Sequence, residues 1–420
     1  MFRFLTSGES HGKGLVVIVE GAPAGMPLTE EYVSKDLARR QVGYGRGGRM
    51  KIERDWAEIL SGVRHGYTMG SPIGLWIENK DWAKGKGPDG VFWTQAMGIN
   101  PTDVNFEHIT KLRPGHADTP GIAKYMFEDA RNVLERSSAR ESAARVAAGA
   151  VARRFLEEFG VEIHGHVVSL GGVHATPNEH IDWSILEDLP YHEENALGSK
   201  MAAVRCADPE AAAKMVHTID AARNRGDSLG GTIEIVATAL PIGLGSYVQW
   251  DRKLTTRLAS AVMSMNAVKG VEFGVGFRQA DMWGSQVHDV IKPIGDWEKP
   301  VDGMWLRPWP RRSNNSGGLE GGMTTGEPLV VRAVVKPIAT ILEGLETVDV
   351  RTGELVQKAH FERSDITFVP TCAVIGESMV AIVLAEAMLE KFGGDNISET
   401  LRNYRGYVKT LGPRGNPVKG

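Results

Sequence analysis

Cysteine is almost missing from this sequence, which has only Cys206 and Cys372 among 420 residues. Two cysteines cannot form the disulfide framework of a secreted domain and include no Cys-x-x-Cys pair, so a reducing cytoplasm fits best. An excess of positive charge is also missing, because 52 acidic residues outnumber 48 lysines and arginines. The net charge of −4 gives no global attraction to nucleic acid or to an acidic membrane surface. Any anion binding must therefore be local.

Long apolar segments that would indicate a membrane span or a targeting signal are missing as well. The N-terminus has no continuous apolar stretch and carries Glu9 and His11 close behind it, so we expect no signal peptide. The nearest approach to a span, residues 230–250, alternates around Glu234 and is interrupted by Pro241, which predicts a strand and a turn. We therefore expect no membrane association.

Hydrophobic periodicity predicts strands and helices in a mixed order. Strands are expected at 15–19, 51–62, 74–79, 231–240 and 329–335, and helices near 27–40, 138–159, 253–268 and 377–392. Because the two types do not alternate regularly, an α+β fold is favoured over a doubly wound sheet. Residues 81–105 are expected to be irregular surface, and the Pro- and Trp-rich stretch 296–312 is a candidate surface insertion.

Residues 135–151 combine a charged, hydroxyl-bearing helix start with a body of small residues. Ser138 is a good N-cap residue, and Glu141 is spaced to complete a capping box. Arg136 and Arg140 flank the exposed backbone N–H groups, which together with the helix dipole favour phosphate or carboxylate. An ordinary capped core helix with surface arginines would show the same pattern.

A second cationic segment follows the first predicted helix. Its glycines at 43–48 formally match G-x-G-x-x-G, but they follow a helix rather than a strand, so the dinucleotide fingerprint lacks its context. Guanidinium groups beside a glycine loop suit a small molecule with several anionic groups, and a solvated basic loop or an RNA contact are the alternatives. The cations fall within thirteen residues that include no acid: Arg39, Arg40, Arg46, Arg49 and Lys51.

Two histidines with glycine neighbours, His11 and His116, are candidates for acid–base catalysis near neutral pH. Asp365 is a candidate proton acceptor, although an Arg–Asp ion pair capping a strand would look the same. His164 and His166 lie in a valine-rich stretch that predicts a strand. Because no well-spaced acid or thiol accompanies them, we expect no metal site.

Taken in order, these motifs resemble the chorismate synthase family along nearly the whole chain. The resemblance implies one large α+β domain over residues 1–420, with helices sandwiched between antiparallel β-sheets, that assembles as a homotetramer. It also implies conversion of 5-enolpyruvylshikimate 3-phosphate to chorismate and phosphate by an anti-1,4-elimination that requires reduced FMN, the last common step of the shikimate pathway to aromatic amino acids. Six segments carry it: GESHG at 8–12, GYGRGGRM at 43–50, RPGHAD at 113–118, ERSSAR at 135–140, MNAVKGVE at 265–272 and RSD at 363–365.

The resemblance further implies roles for individual residues. His11 would protonate the departing phosphate, and His116 would lie by the N1–C2 carbonyl region of the flavin and support its reduced form. Asp365, with Ser10 as a relay, would accept the proton that reaches flavin N5 from substrate C6. Substrate binding would fall to Arg40, Arg46, Arg49, Arg113 and Arg140, although the family's counterparts of the first two are also assigned to NADPH. Flavin contacts are expected from Ser138, Ala139, Arg140, Asn266, Ala267, Gly321, Lys336, Pro337, Ile338, Ala339, Thr340 and Arg363.

The sequence departs from the family at Ile366 and Ala339, where proline is common, but neither change removes a reacting group. No segment resembles a flavin reductase domain, so we expect an external reductase to supply reduced FMN. The rival enzyme class is a flavin-dependent oxidoreductase, which would consume reductant in proportion to product. The rival of another class is an RNA-binding module, which the acidic net charge and the absence of RNP-like aromatics disfavour.

Overall fold

The computed structural model describes residues 2–46, 54–87, 89–101, 107–177, 180–187, 200–293, 300–362 and 365–413. The strands are β1 Arg3–Ser7, β2 Gly14–Glu20, β3 Ala57–Ser61, β4 Val63–Arg64, β5 Tyr67–Thr68, β6 Ile73–Glu78, β7 Glu162–Leu170, β8 Val173–His174, β9 Gly231–Thr238, β10 Val268–Phe273, β11 Leu319–Glu320, β12 Met323–Thr324, β13 Leu329–Val335, β14 Thr347–Val348 and β15 Leu355–Val356. The α-helices are α1 Glu30–Gln41, α2 Trp93–Ala96, α3 Asp118–Tyr125, α4 Arg131–Ser137, α5 Ser142–Glu157, α6 Trp183–Glu187, α7 Lys200–Val204, α8 Pro209–Arg225, α9 Leu254–Met263, α10 Gly284–Val287, α11 Val369–Phe392 and α12 Ile397–Thr410.

The larger sheets are both antiparallel. One has the strand order β1-β2-β6-β3 and the other β10-β13-β9-β7-β8. Their strands alternate as half-buried strands should: in β9, Ile233 and Ile235 are fully buried while Glu234 between them points to the other face. The prediction of a strand rather than a membrane span at residues 230–250 is thereby confirmed.

Helices α1, α5 and α11 lie between these sheets. Helices α1 and α5 pack on the first sheet, α11 packs on β7 and β9 of the second, and α5 and α11 pack on each other. The approach of the last two is close, because a Cβ atom built on Gly149 would lie 2.3 Å from the Cβ of Ser378. The predicted α+β fold, with helices sandwiched between antiparallel sheets, is therefore confirmed.

Among the described residues, one helix is long and apolar enough to cross a membrane by length and composition, and it lies at Val369–Phe392 rather than at 230–250, where the sequence was wrongly expected to come nearest to a span. This is α11, with a mean hydropathy of 1.9 in an 18-residue window, but 94% of that window is buried within the fold. Its fully buried acid, Glu377, accepts hydrogen bonds from Arg39 at 2.7 Å and from Arg153 at 2.5 Å. Burial opposes this charge, but the surrounding arginines lower the pKa of Glu377 to about 2.

Several predicted element boundaries were wrong. The helix expected at 138–159 is interrupted, because Ser138 is extended (φ −62°, ψ 145°) and separates α4 from a short 3₁₀ turn and α5. Glu141 completes no capping box; it accepts a hydrogen bond from Thr6 at 3.0 Å and pairs with Arg145. The helix expected at 253–268 ends at Met263.

Two further expectations of local structure were also wrong. The helix expected at 377–392 begins eight residues earlier, because α11 starts at Val369. The stretch 81–105 is not all irregular surface, because it contains α2, where Trp93 is only 3% exposed. Thr29 is the N-cap of α1, as its hydroxyl accepts a hydrogen bond from the backbone N–H of Tyr32.

Candidate functional site

A cavity of about 590 Å³ opens where distant parts of the chain meet. This volume lies within the usual range of small-molecule sites. Among the described residues that line this cavity are six lysines and arginines and two acids, so the cavity attracts anions. The cations are Arg40, Arg46, Arg113, Arg140, Lys269 and Lys336, and the acids are Glu362 and Asp365.

Most of the site residues predicted from the sequence line this cavity. The predicted residues on its lining are Arg40, Arg46, Arg113, His116, Ser138, Ala139, Arg140, Asn266, Ala267, Lys336, Pro337, Ile338, Ala339, Thr340 and Asp365. Within the described part of the chain, Ser10, His11 and Gly321 are not among the lining residues. Arg49 and Arg363 lie outside the described residues.

A buried carboxylate holds two of the lining arginines together. Asp55 Oδ1 accepts a hydrogen bond from Arg140 Nη1 at 2.5 Å, and its Oδ2 accepts one from Arg40 Nη1 at 3.3 Å. All three residues are buried. Burial, opposed by the charge of Asp55, lowers the pKa of Arg40 to about 10, so this arginine stays charged at neutral pH. The clamp joins α1 to the turn before α5.

His116 is part of a second group of charges on the cavity wall. Its Nδ1 lies 2.7 Å from Asp118 Oδ1, while Asp118 also accepts hydrogen bonds from Nε and Nη2 of Arg113, both at 2.8 Å. Burial alone would raise the pKa of Asp118, but the hydrogen bonds from Arg113 and His116 lower it well below its usual range. The carboxylate therefore fixes the imidazole and leaves Nε2 as the ring nitrogen that can serve a ligand.

Asp365 lies at another part of the wall. Its Oδ2 is 2.7 Å from Arg46 Nη1, which also donates to Thr371 Oγ1 at 2.8 Å. The guanidinium of Arg46 lies 5.9 Å from the ring centre of Phe368. Asp365 therefore does form an ion pair with an arginine, as the structural alternative in the sequence analysis proposed. The partner in this pair is Arg46, and both residues line the cavity.

His11 lies beside the cavity, in the loop between β1 and β2. Its backbone N–H and Nδ1 contact the two oxygens of Glu135 at 2.7 and 2.9 Å. Glu135 also contacts Arg131, which pairs at 2.7 Å with Glu362 on the cavity lining. Burial opposes the charge of Glu362, but the hydrogen bond from His360 and the positive field of Arg131 and His11 lower its pKa to about 2.

The His11 loop is joined to the cavity by hydrogen bonds. Ser138 Oγ donates to Ser10 Oγ at 3.1 Å, so Ser10 contacts a residue that lines the cavity. The buried Asn79 donates from Nδ2 to the carbonyls of residues 9, 10 and 12, and its Oδ1 accepts from Arg140 Nε at 2.8 Å. One side chain therefore links the His11 loop to an arginine of the cavity.

Ten of the twelve residues expected to contact flavin line the cavity, and hydrogen bonds join the segments that carry them. Asn266 Nδ2 donates to the carbonyl of Ser137 at 2.9 Å, and the Lys336 backbone N–H donates to the carbonyl of Ala267 at 2.9 Å. Ala267 has a left-handed φ of 68°, which bends the chain between α9 and β10. Gly321 instead lies in the turn between β11 and β12.

Sequence reasoning missed several residues that hold this site together. Asp118 lies in a quoted motif, so its distance of two residues from His116 was a usable signal. Asp55 and Asn79 had no such signal, because the arginines they hold lie 15 and 61 residues away in the chain. Glu135 lies in the segment 135–140, but its partner His11 is 124 residues away. Lys269, a sixth cation of the lining, lies inside the quoted segment 265–272.

Comparisons with known proteins point to one family. The profile of the family described as chorismate synthase matches residues 2–389. Chorismate synthase of Geobacter sulfurreducens is 50% identical over 410 residues, covering 97% of this chain and 99% of that protein. Chorismate synthase of Thermobifida fusca is 49% identical over 420 residues, covering 98% and 99%. A crystal structure of chorismate synthase superposes with a TM-score of 0.70 at 40% identity, covering 98% of this chain and 99% of that chain.

Proposed function

The chain belongs to the chorismate synthase family, and we propose that the cationic cavity is where it acts. The activity is that of a chorismate synthase, a lyase of the shikimate pathway toward aromatic amino acids. The observation that carries the site assignment is the convergence of six cations on one cavity from segments between residues 40 and 336. The substrate, 5-enolpyruvylshikimate 3-phosphate, has one phosphate and two carboxylates, and such a ligand needs several cations at once.

The cofactor that we propose for this cavity is reduced FMN. The lining suits both parts of such a molecule, because it offers cations for a phosphate and an apolar surface for a flat ring system. The apolar surface consists of Leu134, Met265, Val268, Ile338 and Phe368. When bound, reduced FMN supplies a transient electron to a reaction in which substrate and product differ by no net oxidation. Ser138 to Arg140, Asn266, Ala267 and Lys336 to Thr340 are the residues we propose to hold it, with Gly321 and Arg363 proposed from the resemblance alone.

Five arginines are proposed to bind the substrate, and one of them, Arg140, is proposed to contact the cofactor as well. Arg40 and Arg140 are pre-oriented by Asp55, and Arg113 by Asp118, so their guanidinium groups need little ordering when an anion arrives. Arg46 and Arg49 complete the proposed set. We assign Arg40 and Arg46 to the substrate rather than to NADPH, since residues 43–46 follow α1 and both larger sheets are antiparallel, which is not the context of a dinucleotide fingerprint.

Acid–base roles are proposed for four residues. His11 is the proposed acid for the departing phosphate, and Glu135 Oε1, 2.9 Å from its Nδ1, holds the ring by the edge away from Nε2. His116, fixed by Asp118, is proposed to support the reduced cofactor. Asp365 is the proposed acceptor of the proton that the elimination releases, with Ser10 as a relay. Contact between Ser10 and Ser138 supports a path from the His11 loop to the cavity.

An anaerobic assay tests this proposal. The purified protein is given 5-enolpyruvylshikimate 3-phosphate and reduced FMN, and both phosphate and chorismate are measured. We expect equal amounts of the two products and no consumption of reductant in proportion to product. Absence of phosphate release from folded protein would refute the assignment, and one reduced FMN oxidised per product would favour the flavin-dependent oxidoreductase.

The source of electrons, the assembly and the location are also proposals. We propose an external flavin reductase, with NADPH as the ultimate reductant, which predicts that turnover with oxidised FMN requires that second enzyme.

A single domain over residues 1–420 is supported by the buried cluster that extends from Phe2 to Leu411. We propose a homotetramer from the family resemblance; the exposed aromatic side chains of Phe277 and Trp283, 83% and 78% exposed, support self-association, and light scattering tests the number of copies. A cytoplasmic location is supported by two buried free cysteines.

A further inference from the structure

The His11 imidazole is held on one edge and on one face. On its edge, Nδ1 lies 2.9 Å from Glu135 Oε1. On its face, the ring of Trp93 is stacked, with 3.9 Å between ring centres and 17° between the planes. The hydrogen bond fixes the position of Nδ1 but leaves the ring free to turn about the line from Nδ1 to the carboxylate. The stack removes that remaining rotation.

Trp93 is itself rigidly held. Its Nε1–H donates to Asp81 Oδ2 at 3.2 Å, and its backbone N–H donates to the carbonyl of Gly85 at 3.1 Å. The residue is 3% exposed. An indole that is anchored by its own N–H and buried has little freedom to move, so it is a fixed surface for the ring that lies on it.

The same indole is also close to Arg131. The guanidinium carbon of Arg131 lies 5.4 Å from the Trp93 ring centre, within the range of a cation–π contact. Arg131 contacts Glu135 at 3.3 Å and Glu362 at 2.7 Å. Trp93, His11 and the Glu135–Arg131 pair therefore form one packed group, and Glu362 connects this group to the cavity lining.

We propose that Trp93 is a positioning residue for His11: it sets the plane of the imidazole so that Nε2 is aimed at the departing group. This inference rests on the proposed role of His11 as the acid. Proton transfer depends steeply on alignment, because a displacement of about 1 Å costs on the order of 100-fold in rate. In this role Trp93 acts on turnover through His11, so the loss of both residues should cost no more than the loss of His11.

A double-mutant cycle tests the proposal. In Trp93→Leu we expect kcat to fall about 10- to 100-fold with KM nearly unchanged, and in Trp93→Phe, which keeps a flat ring, we expect most of kcat to return. In the His11→Ala background, Trp93→Leu should lower kcat little further. Trp250→Leu, which removes an exposed tryptophan that is not on the cavity lining, is the control and should leave kcat unchanged.

Fluorescence gives a readout that does not depend on turnover. The difference in emission intensity between the protein and its Trp93→Phe variant gives the emission of Trp93 apart from that of the other tryptophans. We expect the emission of Trp93 to rise when His11 is replaced by Ala, because the ring stacked on the indole is then removed. Equal losses of kcat from Trp93→Leu with and without His11, or a Trp93 emission unaffected by His11→Ala, would overturn this inference. Full turnover of His11→Ala would instead overturn the proposed role of His11, so the two failures are distinguishable.

Discussion

Replacing Asp55 by Asn tests whether the arginines of the cavity depend on one buried charge. The Asp55 carboxylate accepts from Arg40 through one oxygen and from Arg140 through the other. An amide of the same shape has only one acceptor atom, so one guanidinium faces an N–H donor instead. Two buried like charges then lose the anion between them.

The expected cost of Asp55→Asn follows from burial. Removing one partner from a buried ion pair costs about 3–5 kcal/mol, and retention of one hydrogen bond by the amide places our expectation near the lower end, about 3 kcal/mol. Urea denaturation at pH 7 measures this loss in the free energy of unfolding. The matched control is Glu20→Gln, which removes the acid of the exposed Arg3–Glu20 pair and should cost less than about 1 kcal/mol.

Inorganic phosphate supplies a second measurement on the same variant. Without Asp55 the cavity carries more uncompensated positive charge, so added phosphate should raise the melting temperature of Asp55→Asn by more than it raises that of the unmodified protein. An unfolding free energy unchanged within error would refute the view that Asp55 compensates the two arginines. An equal response of both proteins to phosphate would refute the link between this carboxylate and the cavity.

Three further predictions concern other parts of the structure. Asp118→Asn should lower turnover about tenfold or more, because the His116 ring loses the carboxylate that fixes it, and turnover within twofold of normal would contradict this. Folding lowers the pKa of Glu377 from 4.5 to about 2, so its charge stabilises the fold fully above about pH 4.5 and this stabilisation is lost as the pH falls toward 2. In Glu377→Gln we therefore expect the free energy of unfolding to depend less on pH between about 4.5 and 2. Gly149→Ala places a Cβ 2.3 Å from a neighbouring side chain and should lower stability by about 1–3 kcal/mol, whereas Gly406→Ala, with nothing within 4 Å, should be neutral or stabilising in the same denaturation assay.

Local patterns were sufficient for much of the fold. The strand at Leu329–Val335 was predicted at its observed bounds, because its apolar residues and flanking turn residues are contiguous in the sequence. The helix expected at 138–159 failed at Ser138, whose extended backbone is fixed by contacts with residues more than 100 positions away. The early start of α11 was missed because its first turns are apolar all round and show no amphipathic period.

In the candidate site, too, local patterns identified some residues and long-range contacts determine others. Residues such as His116 and Arg140 were found because they lie in short motifs of chemically suggestive neighbours. The residues that orient them by long-range contacts, such as Asp55 and Asn79, were not found, since no local pattern reports a partner 15 or 61 residues away. Trp93 was misjudged as surface because polar residues and glycines surround it in the sequence, although in the fold it covers His11.

Two successive residues of α1 serve different parts of the molecule. Arg39 is anchored in the core by Glu377 of α11, while Arg40 extends to the cavity and its clamp with Asp55. A change deep in the helical layer that rotates α1 by a few degrees therefore displaces a guanidinium that faces the ligand. Screens for altered ligand affinity in this protein should accordingly recover substitutions around Glu377, well away from any ligand, alongside those in the cavity itself.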